Sequence, residues 1–366
     1  MVRPSWVEID LDAIAHNVRL LAGIAAPARL CAVVKADAYG HGDVPVAEAA
    51  LEAGAPMLAV ALVEEAIRLR EAGIDAPILL LSEPPEQSAG EVVSWDLIPT
   101  VYTAGFVRAL SGVAHHSLRT HLKVDTGMHR VGAAVVDAKD LVGKIVADPH
   151  LDLEGVWTHL AVAEEDAVFT RQQLDIFNGF VETLGKVGVE VPMRHAANTA
   201  ATLLYPEARL DLVRVGIGIY GQRPTPGMVP ELDLRPAMRV VSHVSMVRRL
   251  PAGTRPSYGR RKALPLEAQV ATVPVGYADG LPRALGAHGC EVLIGGKRHP
   301  LAGTVTMDQI MVDVGDDPVQ VGDEVVLLGS QEAEEVTADQ WAEQLDTISY
   351  EVVCQIGPRL PRRYLP

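Results

Sequence analysis

Residues 30–42 read LCAVVKADAYGHG: an apolar run closes on Lys35 and gives way to a glycine-bearing turn. Short apolar runs of this kind recur through the first two-thirds of the chain. They are LCAVVK (30–35), MLAVAL (57–62), PILLLS (77–82), LIPTVY (97–102), THLKVD (120–125), LEGVWTHL (153–160), MRHAAN (193–198) and LVRVGI (212–217). Segments such as VEEAIRLREAG and FTRQQLDIFNGFVETLGKVG lie between them, with apolar residues three and four apart, the period of a helix with one buried face. Strands alternating with helices predict an α/β fold with a parallel sheet, and eight of them predict a closed (β/α)8 barrel. The open doubly wound sheet is the alternative, but its glycine fingerprint does not follow the first run. GQRPTPGMVPELDLRP, residues 221–236, concentrates proline and turn residues as a linker does. Beyond it MRVVSHVSMV, AQVATVPVGYA, CEVLIGG, IMVDVG, DEVVLLG and YEVVCQIG are short, Val-rich and separated by glycine, predicting a smaller all-β C-terminal domain. The expected division is residues 1–11 as an N-terminal strand and a candidate to pair with the C-terminal domain, 12–235 as the barrel, and 236–366 as the β-rich domain.

Composition narrows the function classes. With 366 residues, 48% of them hydrophobic, the chain can build two cores. A formal charge of −15, with no run of Lys and Arg longer than the three at 260–262, argues against nucleic acid or an anionic membrane as partner. The apolar stretch 53–63 contains a proline and falls short of the ~20 residues a membrane span requires. MVRPSWVEIDLDAIAHN mixes charge with apolar residues instead of following a basic segment by an apolar one, so a cytoplasmic protein is expected. Cys31, Cys290 and Cys354 are odd in number and widely spaced, which predicts neither disulfides nor a metal site and reads as buried small hydrophobes.

Strand C-termini of a (β/α)8 barrel share one face, so polar residues there converge. Lys35 ends the first run, His159 lies in the sixth, His195 and Asn198 belong to the seventh, and Arg214 sits inside the eighth. A strand-end amine with apolar neighbours has its ammonium form disfavoured, and such a lysine can form a Schiff base. Gly216 and Gly218, with Asn198 and Thr199 from the preceding run, offer amides and hydroxyls to an anion such as a phosphate. Arg214 in an apolar strand must be paired or serve a ligand, and a ring nitrogen acting as acceptor would suit it.

AVVKADAYGHG, KVDTGMHRVG, WTHLA, HAANTAA, LVRVGIGIYG, PSYGR, VGYADG and MDQ occur in this order, and the series resembles the motifs of alanine racemases over nearly the whole chain. The resemblance implies pyridoxal 5'-phosphate as cofactor, alanine as substrate, interconversion of its L and D forms by two bases, a supply of D-alanine for peptidoglycan precursors, and a homodimer with shared sites. Lys35 would hold the cofactor and Tyr258 would be the second acid/base. Tyr39, Thr199, Gly216 and Ile217 would hold the phosphate. Arg214 would face the pyridine nitrogen with His195 behind it and His159 near Tyr258; Arg130 would sit near the cofactor's phenolic oxygen and the substrate carboxylate. Lys123, against Arg130, would carry a carbamate as in some members. Tyr258, Tyr277, Arg283 and Met307 would lie over the barrel mouth of the other subunit, Met307 and the tyrosines narrowing the substrate pocket and Arg283 and Asp308 supporting it. Three positions depart from the usual pattern: Pro358 stands where a phosphate-reaching Tyr is common, Glu164 where an Asp is frequent, and Thr199 in place of Ser. A non-catalytic pyridoxal phosphate carrier and a barrel-type amino-acid decarboxylase are the rival readings, and PSYGR argues against the first.

Overall fold

The structure, a computed structural model, describes residues 3–366. It divides into two compact units: residues 14–38 with 43–234, and the residues up to Ala13 with Tyr39–Gly42 and Arg235–Pro366.

The first unit is a ring of parallel strands. Leu212–Val215 pairs with Arg29–Val33, which continues through Met57–Val60 to Ile78–Leu80. Leu79 bridges to Ile98, just ahead of Thr100–Val101, and the path goes on through Leu118–Asp125 and Leu151–Trp157 to Met193–His195. The ring closes where Arg214 N donates to Ala197 O at 2.9 Å and Asp211 N to Arg194 O at 3.1 Å. All eight apolar runs of the sequence thus contribute to one (β/α)8 barrel. Met57–Val60, Ile78–Leu80 and Leu212–Val215 are buried throughout, as strands covered on both faces must be. The covering helices follow their period: Ala167–Lys186 buries Thr170, Gln173, Leu174, Phe177, Phe180 and Leu184, and the Asp166 side chain caps its first turn.

The second unit is strand-rich. Its larger sheet runs Lys297–Pro300, Glu291–Ile294, Glu324–Gln331, Met238–His243, Ser5–Asp10 and Arg362–Leu365. The N-terminal strand lies antiparallel to Met238–His243 and parallel to Arg362–Leu365. A second sheet joins Met246–Leu250, Ala268–Val273 and Ile310–Gly315. The Tyr39–Gly42 loop groups with this unit because Arg362 donates to Gly40 O through Nε and Nη2 at 3.1 and 2.9 Å. Two expectations are corrected. YEVVCQIG is not a strand: Ser349–Gln355 is a helix, burying Val352 and Val353 while Glu351 and Cys354 face outward, so the valine pair serves a helical stripe. Cys354 is accordingly exposed, whereas Cys31 and Cys290 are buried. No described helix is long and apolar enough to cross a membrane.

Candidate active site

Lys35 opens a turn of unusual hand. Ala36, Asp37, Ala38 and Tyr39 have φ of 51 to 54° and Gly40 has 80°, so the glycine-bearing turn expected from the sequence winds, over Lys35–Gly40, as a left-handed helical turn. Four non-glycine residues in that conformation cost about 1–2 kcal/mol each. The Glu65 carboxylate, itself buried, opposes that cost: Oε1 accepts from Ala36 N at 2.7 Å, and Oε2 from Ala61 N and Leu62 N at 2.8 and 3.1 Å. Asp37 Oδ1 accepts from Asp43 N at 3.0 Å and closes the turn from its other side. Gly40 is required here, since a Cβ would stand 2.6 Å from Val353 O.

Across the ring, Arg214 is 4% exposed with no carboxylate beside it among the described residues. Nη1 donates to His195 Nδ1 at 2.8 Å; Nη2 reaches Thr158 O at 2.9 Å, Ala196 O at 3.0 Å and His159 Nδ1 at 3.3 Å. Burial pulls the guanidinium down to about 9. Burial, and then the charge of Arg214, holds His159 and His195 well below the usual imidazole range, so both are neutral near pH 7. Trp157 lies parallel to His195 at 5.4 Å and under two cations, Arg214 at 4.4 Å and Lys123 Nζ at 4.3 Å. Lys123 is buried, not a solvated lysine, and burial with Arg214 and Arg130 lowers it to about 7. Arg130 itself is exposed.

The anion-holding group is compact. Thr199 Oγ1 accepts from Gly216 N at 3.3 Å, and Gly218 comes so close that a Cβ there would meet Thr199 Cγ2 at 2.8 Å. Ile217 is fully buried and starts the turn Ile217–Tyr220. Asn198 Oδ1 is committed to capping Thr199–Leu204 through Ala201 N at 2.9 Å. The barrel unit therefore brings Lys35, Lys123, His159, His195, Asn198, Thr199, Arg214, Gly216 and Ile217 to the ends of its strands. Sequence reasoning missed Glu65, whose signal was a Glu early in a helix following a strand end.

The β-rich unit carries the other predicted residues. Tyr258 is 73% exposed in the turn Tyr258–Arg260, fixed by Thr304 Oγ1 donating to Tyr258 O at 2.9 Å. Tyr277 and Met307 stand together because Tyr277 N donates to Thr306 O at 2.9 Å and Ala278 N to Met307 O at 3.1 Å. Buried Asp279 anchors the pair by accepting from Gly276 N at 2.9 Å, and Asp308 is bound by Arg359 at 2.8 Å. Arg283 is exposed at the start of a short turn, and Tyr39 is buried near Tyr350 with ring centroids 6.2 Å apart. A cleft of about 790 Å³ beside Tyr258 is lined by Met246, Leu250, Pro256, Val270 and Met311.

A lysine-bearing barrel rim joined in one chain to a β domain that exposes two tyrosines defines the class of two-domain barrel enzymes. Family models place the chain within that class: the alanine racemase N-terminal domain matches residues 9–224 and the C-terminal domain residues 237–364. The alanine racemase of Symbiobacterium thermophilum is 46% identical, the match covering 99% of this chain and 97% of that one; that of Nostoc is 44% identical over 98% and 95%. The crystal structure of the Streptomyces coelicolor enzyme superposes with a TM-score of 0.95 at 39% identity, covering 100% of this chain and 98% of the other. The Bacillus anthracis enzyme with bound L-Ala-P gives 0.93 at 38%, covering 100% and 96%. The chain belongs to the alanine racemase family, a family of isomerases.

Proposed function

We propose that the protein interconverts L- and D-alanine with pyridoxal 5'-phosphate, using Lys35 and Tyr258 as two bases, in the cytoplasm and as a homodimer, and that its D-alanine feeds peptidoglycan precursors. The observation that carries the cofactor is Arg214. A buried cation with neutral imidazoles and carbonyls for company, and with no described acceptor for its Nε–H, fits an uncharged ring nitrogen and not an acid. The cradle formed by Thr199, Gly216 and Gly218 fits a phosphate. When bound, pyridoxal phosphate acidifies the α-hydrogen of an amino acid joined to it; Arg214 would leave its ring nitrogen unprotonated, which favours return of a proton to the α-carbon over transamination.

The remaining chemistry belongs to the protein. Lys35 would hold the cofactor and take or return a proton on one face of the α-carbon, Tyr258 on the other. Tyr39, Thr199, Gly216 and Ile217 would hold the phosphate with Asn198 beside them, Arg130 would bind the substrate carboxylate, and Tyr277 with Met307 would limit the side chain to about a methyl group. Arg283 and Asp308 would support that rim. Tyr258, Tyr277 and Met307 are 73, 41 and 52% exposed. Exposed aromatic and thioether side chains, with Tyr258 beside a cleft of mixed polar and apolar lining, support covering by a second subunit. The test is Lys35→Ala: the wild type is expected to bind pyridoxal phosphate with a visible absorption band and to racemise L-alanine, and the variant to lose both. A wild-type protein that ignores added cofactor, or releases carbon dioxide from L-amino acids, would overturn the proposal.

A further inference from the structure

We infer that Glu154 is a positioning residue for Arg214, acting through two buried histidines that cross the barrel interior; the inference rests on the reading of Arg214 as the cofactor's partner. Three observations carry it. Strand Leu118–Asp125 pairs Thr120 with Leu153 and then His121 with Gly155, so Glu154 is the extra residue of a β-bulge. Bulges re-aim side chains, and this one directs Glu154 toward His121. The residue after the bulge has to be glycine, because a Cβ at Gly155 would stand 2.7 Å from Cε1 and Nδ1 of the His121 ring. Finally, Glu154 Oε2, His121 Nε2 and Nδ1, His195 Nε2 and Nδ1, and Arg214 Nη1 form an unbroken series at 3.0, 2.9 and 2.8 Å.

The donors in that series admit one arrangement. A guanidinium only donates, so His195 Nδ1 must accept and its proton sits on Nε2. His195 Nε2 then donates to His121 Nδ1, which places the His121 proton on Nε2, and that N–H donates to the carboxylate. Both imidazoles are fully buried; burial lowers both, outweighing in His121 the upward pull of Glu154. Two neutral rings with protons aligned therefore connect Arg214 to Glu154. Burial raises Glu154, but the hydrogen bond from His121 and the charges of Arg119 and Arg29 oppose it and hold the carboxyl below its usual range, ionised at neutral pH. Arg119 lies 3.7 Å from Oε1 and is itself 3.8 Å from Asp96, so it shares its charge between two acids. Without an acceptor at residue 154 the buried Nε2–H of His121 is orphaned, so the arrangement that Arg214 imposes carries the cost of an unpaired donor. It then competes with the reversed one, in which both rings carry the proton on Nδ1 and His195 offers Arg214 Nη1 no lone pair.

The test reads proton positions directly, by nitrogen-15 NMR of the full-length, cofactor-loaded protein labelled at its histidine nitrogens. In the wild type, His121 and His195 are each expected to show a protonated Nε2 and a bare Nδ1. Glu154→Met, similar in shape but unable to accept, is expected to mix the tautomers of both rings and to slow racemisation on the order of 10-fold, the scale of lost support behind a site imidazole. Glu154→Gln, whose carboxamide oxygen still accepts, should keep the tautomers and most of the rate. A proton on His121 Nδ1 in the wild type would overturn the inference without any variant. Unchanged tautomers in a folded Glu154→Met protein would also overturn it. Cofactor absorbance on the same sample separates the two readings: its absence counts against the assignment of the rim, while the tautomers alone decide Glu154.

Discussion

At the scale of single residues, Tyr258 and Lys123 carry the sharpest consequences. One base cannot readily remove a proton from one face of the α-carbon and return it to the other. Tyr258→Phe is therefore expected to keep cofactor binding by Lys35 and to lose racemisation by about 10²–10⁴. In deuterium oxide the variant should still exchange the α-hydrogen of D-alanine through Lys35 much faster than that of L-alanine; equal exchange would place the second base elsewhere. For Lys123 the expected modification is the carbamate, which would turn one of two neighbouring cations into an anion that orients Arg130. Carbon dioxide adds only to a neutral amine, and the amine is lowered to about 7. Carbamate should accordingly be absent well below neutrality and grow as pH rises through that value. Carbon-13 bicarbonate and NMR would show the signal, with Lys123→Ala as control; no signal well above neutrality would refute it. The grouping of His159, His195 and Arg214 was legible because polar groups at the strand ends of a barrel share one face. Glu65 and Glu154 were not, because one depends on which strand lies beside its helix and the other on a register shift that no period announces.

Elements repeat the pattern. Apolar runs gave away the barrel strands because strands covered on both faces are mostly apolar, with polar residues such as His121, His195 and Arg214 admitted where they are paired. The run around Val352 misled for the same reason in reverse: two adjacent valines fit a helical stripe as well as a strand, and neighbours decide. The left-handed turn Lys35–Gly40 is the element least visible beforehand, since alanine and tyrosine disfavour that region and aspartate visits it only as a single residue. Part of its support is the Glu65 carboxylate, which ties Ala36 N in the turn to Ala61 N and Leu62 N at the neighbouring helix start. Glu65→Gln keeps one acceptor oxygen and loses the charge, so it should destabilise the protein by about 2 kcal/mol, the worth of a charge-assisted hydrogen bond, and weaken cofactor retention. Chemical denaturation with an unchanged midpoint would show that the turn is held by other means.

For the whole molecule, the proposed assembly is supported by what the β-rich unit leaves exposed, namely Tyr258, Tyr277 and Met307 on a chain of charge −15. Sedimentation equilibrium is expected to give a dimer, with racemisation per chain falling on dilution in step with dissociation; a fully active monomer would refute shared sites. The two-domain division could be seen in the proline-rich linker, whereas the return of Tyr39–Gly42 to the β-rich unit could not, since it depends on a C-terminal arginine far away in sequence. The hand of the turn after Lys35 bears on any attempt to transplant this chemistry. Copying AVVKADAYGHG into a different barrel would move the lysine but not all that holds its geometry, because the start of the turn is tied to a carboxylate on a neighbouring helix. A successful graft must carry Glu65 with its strand-to-helix junction, so the smallest transferable part is a pair of adjoining βα units and not a motif.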